Sequence, residues 1–353
     1  MKQKRRPSSL LQATLLTLMA GTSLTAQANE CASISDNMKR LACFDSLFPG
    51  QPVTPEKPGS NAATGEASQP NIANEARLKL PTKTTSRMSD EWDLDSNTSR
   101  KSFELRTYKP TYLLLGTYTD HINLQPTSSN KANSVNNPID LKAGEAQFQL
   151  SFKTRALHNI FGDNGSLWLG YTQSSRWQIY NGDLSRPFRE TNYEPEAMLV
   201  FRTPLELGGL NLRMSGIGLN HQSNGRSNPL SRSWNRVIAH FGFEYKDFSM
   251  QVRPWWRLAE SDTEDNNPGI ENYIGRGELI LSQHLGEHVI ALQGRHSLRS
   301  GDESRGSIKL SWSIPINGNL KGYLTAFSGY GESLIDYNHR QTMIGAGVSL
   351  VDW

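Results

Sequence analysis

From Tyr108 to the C terminus the chain is a train of short segments in which apolar and polar residues alternate. A period of two is the signature of a strand with two unlike faces. Twelve segments stand out: Tyr108–Thr119, Glu145–Arg155, Leu167–Arg176, Pro195–Thr203, Leu210–Ser223, Arg232–Tyr245, Asp247–Ala259, Asn272–His284, Val289–Leu298, Gly306–Ile314, Leu320–Gly329 and Met343–Trp353. The connections after the first, third, seventh and eleventh are long and polar. Most of the intervening ones are tight, as at Lys246 or from Pro315 to Asn319. An even number of strands joined by long and short connections is the pattern of a bacterial outer-membrane barrel. The expected fold is therefore all-β: about twelve antiparallel transmembrane strands over residues 101–353.

The residues before the barrel divide into three. Lys2, Lys4, Arg5 and Arg6, an apolar run from Leu10 to Ala20, and Ala26-Gln27-Ala28 read as a signal peptide over residues 1–28. The alternative, a membrane anchor, needs a longer apolar run. Cys31 and Cys43 are the chain's two cysteines, and Ile34, Met38, Leu41, Phe44 and Phe48 recur around them at helical spacing. Residues 29–48 are thus expected to form a short helical segment linked by a disulfide. A redox or metal site there lacks both a Cys-x-x-Cys and a nearby His. Residues 49–100 are rich in Pro, Gly, Ser, Asn and Thr, with few large apolar groups. Such a stretch reads as a flexible periplasmic linker, or as a partner-binding segment without a motif.

Net charge is +3, and neither a basic helix nor an aromatic-basic motif is present. Nucleic acid is not an expected partner. No later stretch approaches ~18 uninterrupted apolar residues, so no helical span is expected after the signal. The low mean hydropathy, −0.56, argues against a helical bundle. It is compatible with a barrel, whose strands average apolar and polar faces.

The chemistry gathers on one hairpin. Asn224, Gly225, Asn228 and Pro229 are turn residues. His221 and Ser223 are two apart and share a face. A turn centred near Asn228 places Asn235 opposite His221. Ile217 and Leu219 lie on that face of one strand, and Val237, Ala239, Phe241 and Phe243 on that face of the other. Arg236, His240 and Glu244 face the other way. In a barrel the apolar face meets lipid. A nucleophile (Ser223), a base (His221) and an orienting amide (Asn235) on that face suit a lipid substrate.

The stretch His221-Gln222-Ser223-Asn224-Gly225-Arg226-Ser227, followed by Ser231-Arg232-Ser233-Trp234-Asn235-Arg236, resembles outer membrane phospholipase A, the bacterial phospholipase A1 family. So do Pro187-Phe188-Arg189-Glu190-Thr191-Asn192-Tyr193-Glu194-Pro195 and Ser328-Gly329-Tyr330-Gly331-Glu332-Ser333-Leu334-Ile335-Asp336-Tyr337-Asn338. The resemblance spans about Tyr108 to Trp353 and does not extend into residues 29–100. It implies a calcium-dependent serine hydrolase that is active as a homodimer and cleaves acyl esters of phospholipids and lysophospholipids. It further implies that the backbone N–H of Gly225 and a Ca2+ ion stabilise the oxyanion. The ion's protein ligands would be the Ser231 side chain, the Arg226 carbonyl and the Ser185 carbonyl of a second subunit. Asn228 stands where many members carry Asp, which puts in doubt any further calcium position that uses that carboxylate.

Gln173 shares a face with Leu167, Leu169 and Tyr171, so its amide is expected toward lipid, where an unpaired polar group is costly. Either it meets headgroups or it pairs across a two-fold axis; the resemblance implies the dimer contact. With residues 49–100 in the periplasm, the loops holding Ser185 and Ser223 lie on the outer side of the membrane. His284 and His288 flank Gly286 in a tight turn, and Glu332 and Asp336 fit loop structure better than an acid pair. Arg236, Glu244, Arg253 and Glu278 are expected to fill the interior. Two other readings remain, a porin-like channel and a structural barrel presenting the N-terminal extension.

Overall fold

In a computed structural model the alternating segments close into a barrel. The structure describes residues 86–95 and 101–353, together with Ile34, Asp36, Lys39, Ala42, Cys43 and Ser46. The strands are β1 (Leu105–Thr107), β2 (Thr111–Thr119), β3 (Gly144–Leu157), β4 (Ser166–Trp177), β5 (Phe188–Leu207), β6 (Leu210–Ser223) and β7 (Ser233–Tyr245). They continue as β8 (Phe248–Arg257), β9 (Gly277–Leu285), β10 (His288–His296), β11 (Gly306–Asn317), β12 (Leu320–Tyr330) and β13 (Arg340–Val351). From β2 onward each strand pairs antiparallel with the next, and β13 pairs with β2 to close the ring. β1 and β2 lie end to end along β3, with Leu105 opposite Thr154 and Tyr112 opposite Gln149. They are one barrel strand interrupted near Pro110, which has no N–H to give a ladder. The wall is thus twelve strands around.

Two boundaries differ most from the sequence reading. β5 starts at Phe188 rather than at Pro195. The proline is accommodated inside the strand because the register to β6 carries no pair at Glu194 or Pro195, while the pairing to β4 continues through both. β9 starts at Gly277, and the preceding Ile270–Asn272 is a 3-10 turn. At one end of the barrel most connections are tight, as between Leu207 and Leu210 or between Tyr245 and Phe248, and the exception is the β3–β4 loop over residues 158–165. Every loop at the other end is longer still.

The two faces differ as the alternation requires. Leu150, Phe152, Leu169, Ile217, Leu219, Trp256, Leu310 and Trp312 are exposed on the outside, which makes an apolar belt. Among the described residues no helix is long and apolar enough to cross a membrane; a barrel crosses with strands. The inside is ionic. Arg253 binds Glu196 at 2.9 Å and Glu278 at 3.2 Å, Arg236 binds Glu194 at 3.1 Å, and Lys109 bridges Glu194 and Glu196 at 2.9 and 3.3 Å. Arg189 pairs with Glu145 and Asp336 at 2.8 and 2.7 Å, and Arg176 with Glu332 at 2.8 Å. Buried charges hold their places only when paired and hydrogen-bonded in this way. A cavity of about 150 Å³ remains among them.

The stretch read as a linker up to residue 100 contains an ordered element. Ser86 caps helix α1 (Arg87–Trp92) by accepting from the Ser89 N–H, and Asp93 ends it in the left-handed region. Met88 and Trp92 are buried against Tyr108, Trp168, Met198 and Met214. The Met88 N–H donates to Glu244 at 2.7 Å, and the Lys153 ammonium sits 3.3 Å from the centre of the Trp92 ring. Gly242 makes room: a Cβ there would lie 2.3 Å from Met88 Sδ. Composition averaged over residues 49–100 hid two large apolar side chains, which suffice to plug the tight-turn end of a barrel. Of residues 29–48, Lys39, Ala42, Cys43 and Ser46 are helical. Cys31, and with it the expected disulfide, lies outside the described residues, as does the signal peptide.

Candidate active site on the outer wall of the barrel

The β6–β7 hairpin carries the site, and its register follows from the apolar alternation. His221 stands opposite Asn235, and Ser223 opposite Ser233. The inward residues between them, Asn220, Trp234 and Arg236, are buried, with the Arg236 guanidinium 4.1 Å from the Trp234 ring centre. His221 is exposed on the outside, in line with Leu219 and Ile217, which are 60 % and 52 % exposed. The His221 Nδ1 and the Asn235 Oδ1 are 2.8 Å apart. Ser223 lies two residues further toward the loop on the same face. His221 and Asn235 are therefore joined; Ser223 Oγ is placed on their face without a hydrogen bond to His221.

The loop beyond Ser223 is built around two buried side chains. Asn224 Oδ1 accepts from the backbone N–H groups of Arg226 and Arg232, at 3.2 and 2.9 Å, while its Nδ2 donates to Glu190 and to the Leu230 carbonyl, at 3.0 and 2.8 Å. The fully buried Arg232 guanidinium donates to the carbonyls of Pro229, Ser231, Thr127 and Asn133. Between these anchors Gly225 has φ +60, and a Cβ there would lie 3.2 Å from the Tyr193 ring. Glycine meets both demands. Its N–H has no partner among the described residues and remains available to an incoming oxyanion.

Three oxygens singled out for a cation come from two neighbouring loops at the same end. Ser231 Oγ accepts from Asn266 at 3.0 Å, which leaves a lone pair. The Arg226 carbonyl has no partner among the described residues, and Arg226 reaches across to the Arg189 carbonyl at 3.4 Å. Ser185 lies between β4 and β5, exposed, with φ +57. Within one chain it belongs to the β4–β5 loop, which precedes the β6–β7 loop. Asn228 does not point into open space: its Oδ1 accepts from Asn133 at 2.8 Å, in a cluster of amides that includes Asn266. No group of three or more acidic, His or Cys side chains with metal-binding geometry occurs among the described residues.

Gln173 faces outward on β4, opposite Leu150 on one side and Tyr193 on the other. The Tyr171 hydroxyl donates to its Oε1 at 3.2 Å, so the amide's two N–H donors remain. Two expectations about other polar groups hold. Glu332 and Asp336 are loop carboxylates clamped by Arg176 and Arg189. Burial raises the Glu332 carboxyl, but the adjacent Arg176 and Arg189 outweigh it and hold it at about 2. His284 and His288 flank the β9–β10 turn.

The sequence reading missed Glu260, in the loop after β8. Its Oε1 accepts from Asn235 Nδ2 at 3.1 Å. Nothing in the local pattern around Glu260 marks it, since the contact depends on how that loop folds back over the wall. Leu258 starts the fold by donating its N–H to the Asn235 carbonyl at 2.8 Å.

Comparison with known proteins fits the geometry. The phospholipase A1 family model matches residues 88–350. A phospholipase A1 of Escherichia coli K12 is 39 % identical over 250 residues, which cover 71 % of this chain and 82 % of that one. A Neisseria meningitidis serogroup B protein is 36 % identical over 357 residues, 92 % of this chain and 91 % of its own. That match is longer than the barrel, so similarity reaches into the N-terminal segment, where the sequence reading expected none. Among solved structures, outer membrane phospholipase A from Escherichia coli superposes with a TM-score of 0.63 at 38 % identity, covering 70 % of this chain and 94 % of that one. A Salmonella typhi outer membrane phospholipase dimer with bound calcium gives the same score and identity over 72 % of this chain and 94 % of its own. The chain belongs to the phospholipase A1 family and is an outer-membrane β-barrel phospholipase.

Proposed function

We propose that the barrel is a calcium-dependent, dimer-activated serine hydrolase that cleaves acyl esters of phospholipids and lysophospholipids, with phospholipase A1/A2 and lysophospholipase activity. The observation that carries this is the 2.8 Å His221–Asn235 hydrogen bond on the apolar outer wall, with Ser223 on the same face. A phospholipid reaching this wall laterally presents its ester carbonyls near the headgroup level, where the strand ends and the loops begin.

Ser223 Oγ attacks the carbonyl carbon while His221 Nε2 takes its proton. Asn235 holds His221 by accepting from Nδ1–H, which leaves Nε2 free to act as base. The tetrahedral oxyanion meets the Gly225 N–H. Collapse expels the lysolipid alcohol, which takes the proton back from Nε2. Water, activated by the same imidazole, then releases the fatty acid from Ser223. A neutral third member avoids a bare carboxylate beside hydrocarbon.

The donor set suits calcium: Ser231 Oγ, the Arg226 carbonyl and Ser185 of the partner subunit are hard oxygens. None is a carboxylate, which favours modest affinity and dependence on the second copy. Bound there, the ion would add positive charge to the oxyanion site. Gln173 supports the same dimer, since its spare N–H donors gain partners when two copies meet across a two-fold axis. In this reading the residues before β1 lie in the periplasm, and Ser223 and the loop holding Ser185 lie at the outer leaflet.

The test is Ser223→Ala in detergent, with phospholipid and either calcium or a chelator. The variant is expected to keep the heat-resistant gel mobility of a folded barrel while releasing no fatty acid. A sulfonyl fluoride should label the wild type at Ser223. Hydrolysis by the variant at the wild-type rate would reject the assignment.

A further inference from the structure

An amide is a symmetric object to its neighbours until something tells its oxygen from its nitrogen. For Asn235 to orient His221 usefully, Oδ1 must face the imidazole and accept from Nδ1–H. With Nδ2 there instead, Nδ1 would have to be the acceptor and Nε2 would carry the proton, leaving no base for Ser223. The hairpin backbone does not decide between these states.

We infer that Glu260 is a positioning residue that fixes the orientation of Asn235 and, through it, the tautomer of His221; this rests on the triad reading above. An ionised carboxylate only accepts hydrogen bonds. Glu260 Oε1, 3.1 Å from Asn235 Nδ2, therefore commits Nδ2 to itself and Oδ1 to His221, 2.8 Å away on the other side. The arrangement is built rather than incidental. The Leu258 N–H ties the loop to the Asn235 carbonyl at 2.8 Å, so Glu260 follows two residues after an anchor on the same residue it orients. Its other oxygen lies 3.9 Å from Arg257, which is itself held by Asp265 at 2.7 Å and Glu271 at 3.4 Å. The Glu260 side chain is 17 % exposed. Burial raises its carboxyl, with Asp265 pushing the same way and Arg257, Asn235 and His221 opposing. Glu260 also returns to the site the negative charge that a neutral third member lacks. One amide away from the imidazole, it favours the imidazolium that forms when Ser223 attacks.

The test is a cycle of Glu260→Gln and Asn235→Asp, with rates taken per folded barrel from heat-resistant gel mobility. Glutamine both donates and accepts, so Glu260→Gln removes the selection. We expect kcat to fall about threefold to tenfold, the worth of one hydrogen bond, with KM unchanged. The acid limb of its pH profile should move to lower pH, because the imidazolium loses a nearby carboxylate while Arg257, Asp265 and Glu271 stay. Asn235→Asp sets two carboxylates against each other and should lose activity. Adding Glu260→Gln to Asn235→Asp supplies a donor and should raise kcat, reversing the sign of the same substitution. Glu264→Gln, in the same loop but bonded to Ser261, should leave kcat unaltered. The inference is overturned if Glu260→Gln keeps wild-type kcat and pH profile, or if it lowers kcat equally on both backgrounds. Activity surviving in Ser223→Ala would instead overturn the triad reading beneath it.

Discussion

Removing the Asn235 side chain tests how much the orienting amide contributes. In Asn235→Ala the 2.8 Å bond to His221 Nδ1 disappears, while the backbone contact from Leu258 N–H to the Asn235 carbonyl remains. The hairpin register, fixed by pairs from Asn211–Glu244 to Ser223–Ser233, does not depend on that side chain. The lost bond is ordinary in the resting state and charge-assisted once the imidazole holds the serine proton. A hydrogen bond to a charged group contributes about 1.5–3 kcal/mol. If most of that is realised only in the transition state, kcat falls about 10- to 150-fold and KM stays put. Loss of a carboxylate's role in a charged serine-protease triad costs far more, about 10⁴-fold. Initial rates of fatty-acid release from short-chain phospholipid micelles at saturating calcium, per folded barrel, read the effect. A variant within twofold of wild type would show that the bond is not catalytic. One as inactive as Ser223→Ala would show that Asn235 does more than orient.

Gly225→Ala forces a side chain into φ +60 and against Tyr193, which strains the turn by about 1–2 kcal/mol and displaces the N–H. We expect kcat to fall by about 100-fold, the cost of one oxyanion donor, with the folded barrel retained; an unchanged kcat removes Gly225 from the oxyanion site. Chelating calcium should abolish fatty-acid release without melting the barrel, and Gln173→Ala should raise the calcium concentration for half-activity about tenfold by weakening the dimer. Crosslinking yield should fall in parallel, and an unchanged calcium requirement would separate Gln173 from activation. The Glu332 carboxyl is depressed to about 2, so its clamp on Arg176 stabilises fully above the ordinary carboxylate range and is lost as pH falls toward 2. In Glu332→Gln, the loss of thermal stability of the barrel between about pH 4.5 and 2 should be shallower than in wild type; equal slopes would refute the clamp.

The barrel and the outward face that carries His221, Ser223 and Asn235 were legible in the chain because both rest on a local rule. Side chains on a strand alternate, so Leu219, His221 and Ser223 must share a wall with Asn235 once the turn near Asn228 sets the register. The polar interior followed from the same parity, as Arg236, Glu244, Arg253 and Glu278 turned out to be paired inside. Sequence alone could not place α1 in the barrel mouth, because Met88 and Trp92 find their partners on β4, β5 and β6, far along the chain. It also could not bring Glu260 to Asn235, or Asn133 to Asn228, since those contacts depend on how long loops fold back over a finished wall. Periodicity determines which face a residue is on; only closure of the ring determines which distant loops come to stand beside it.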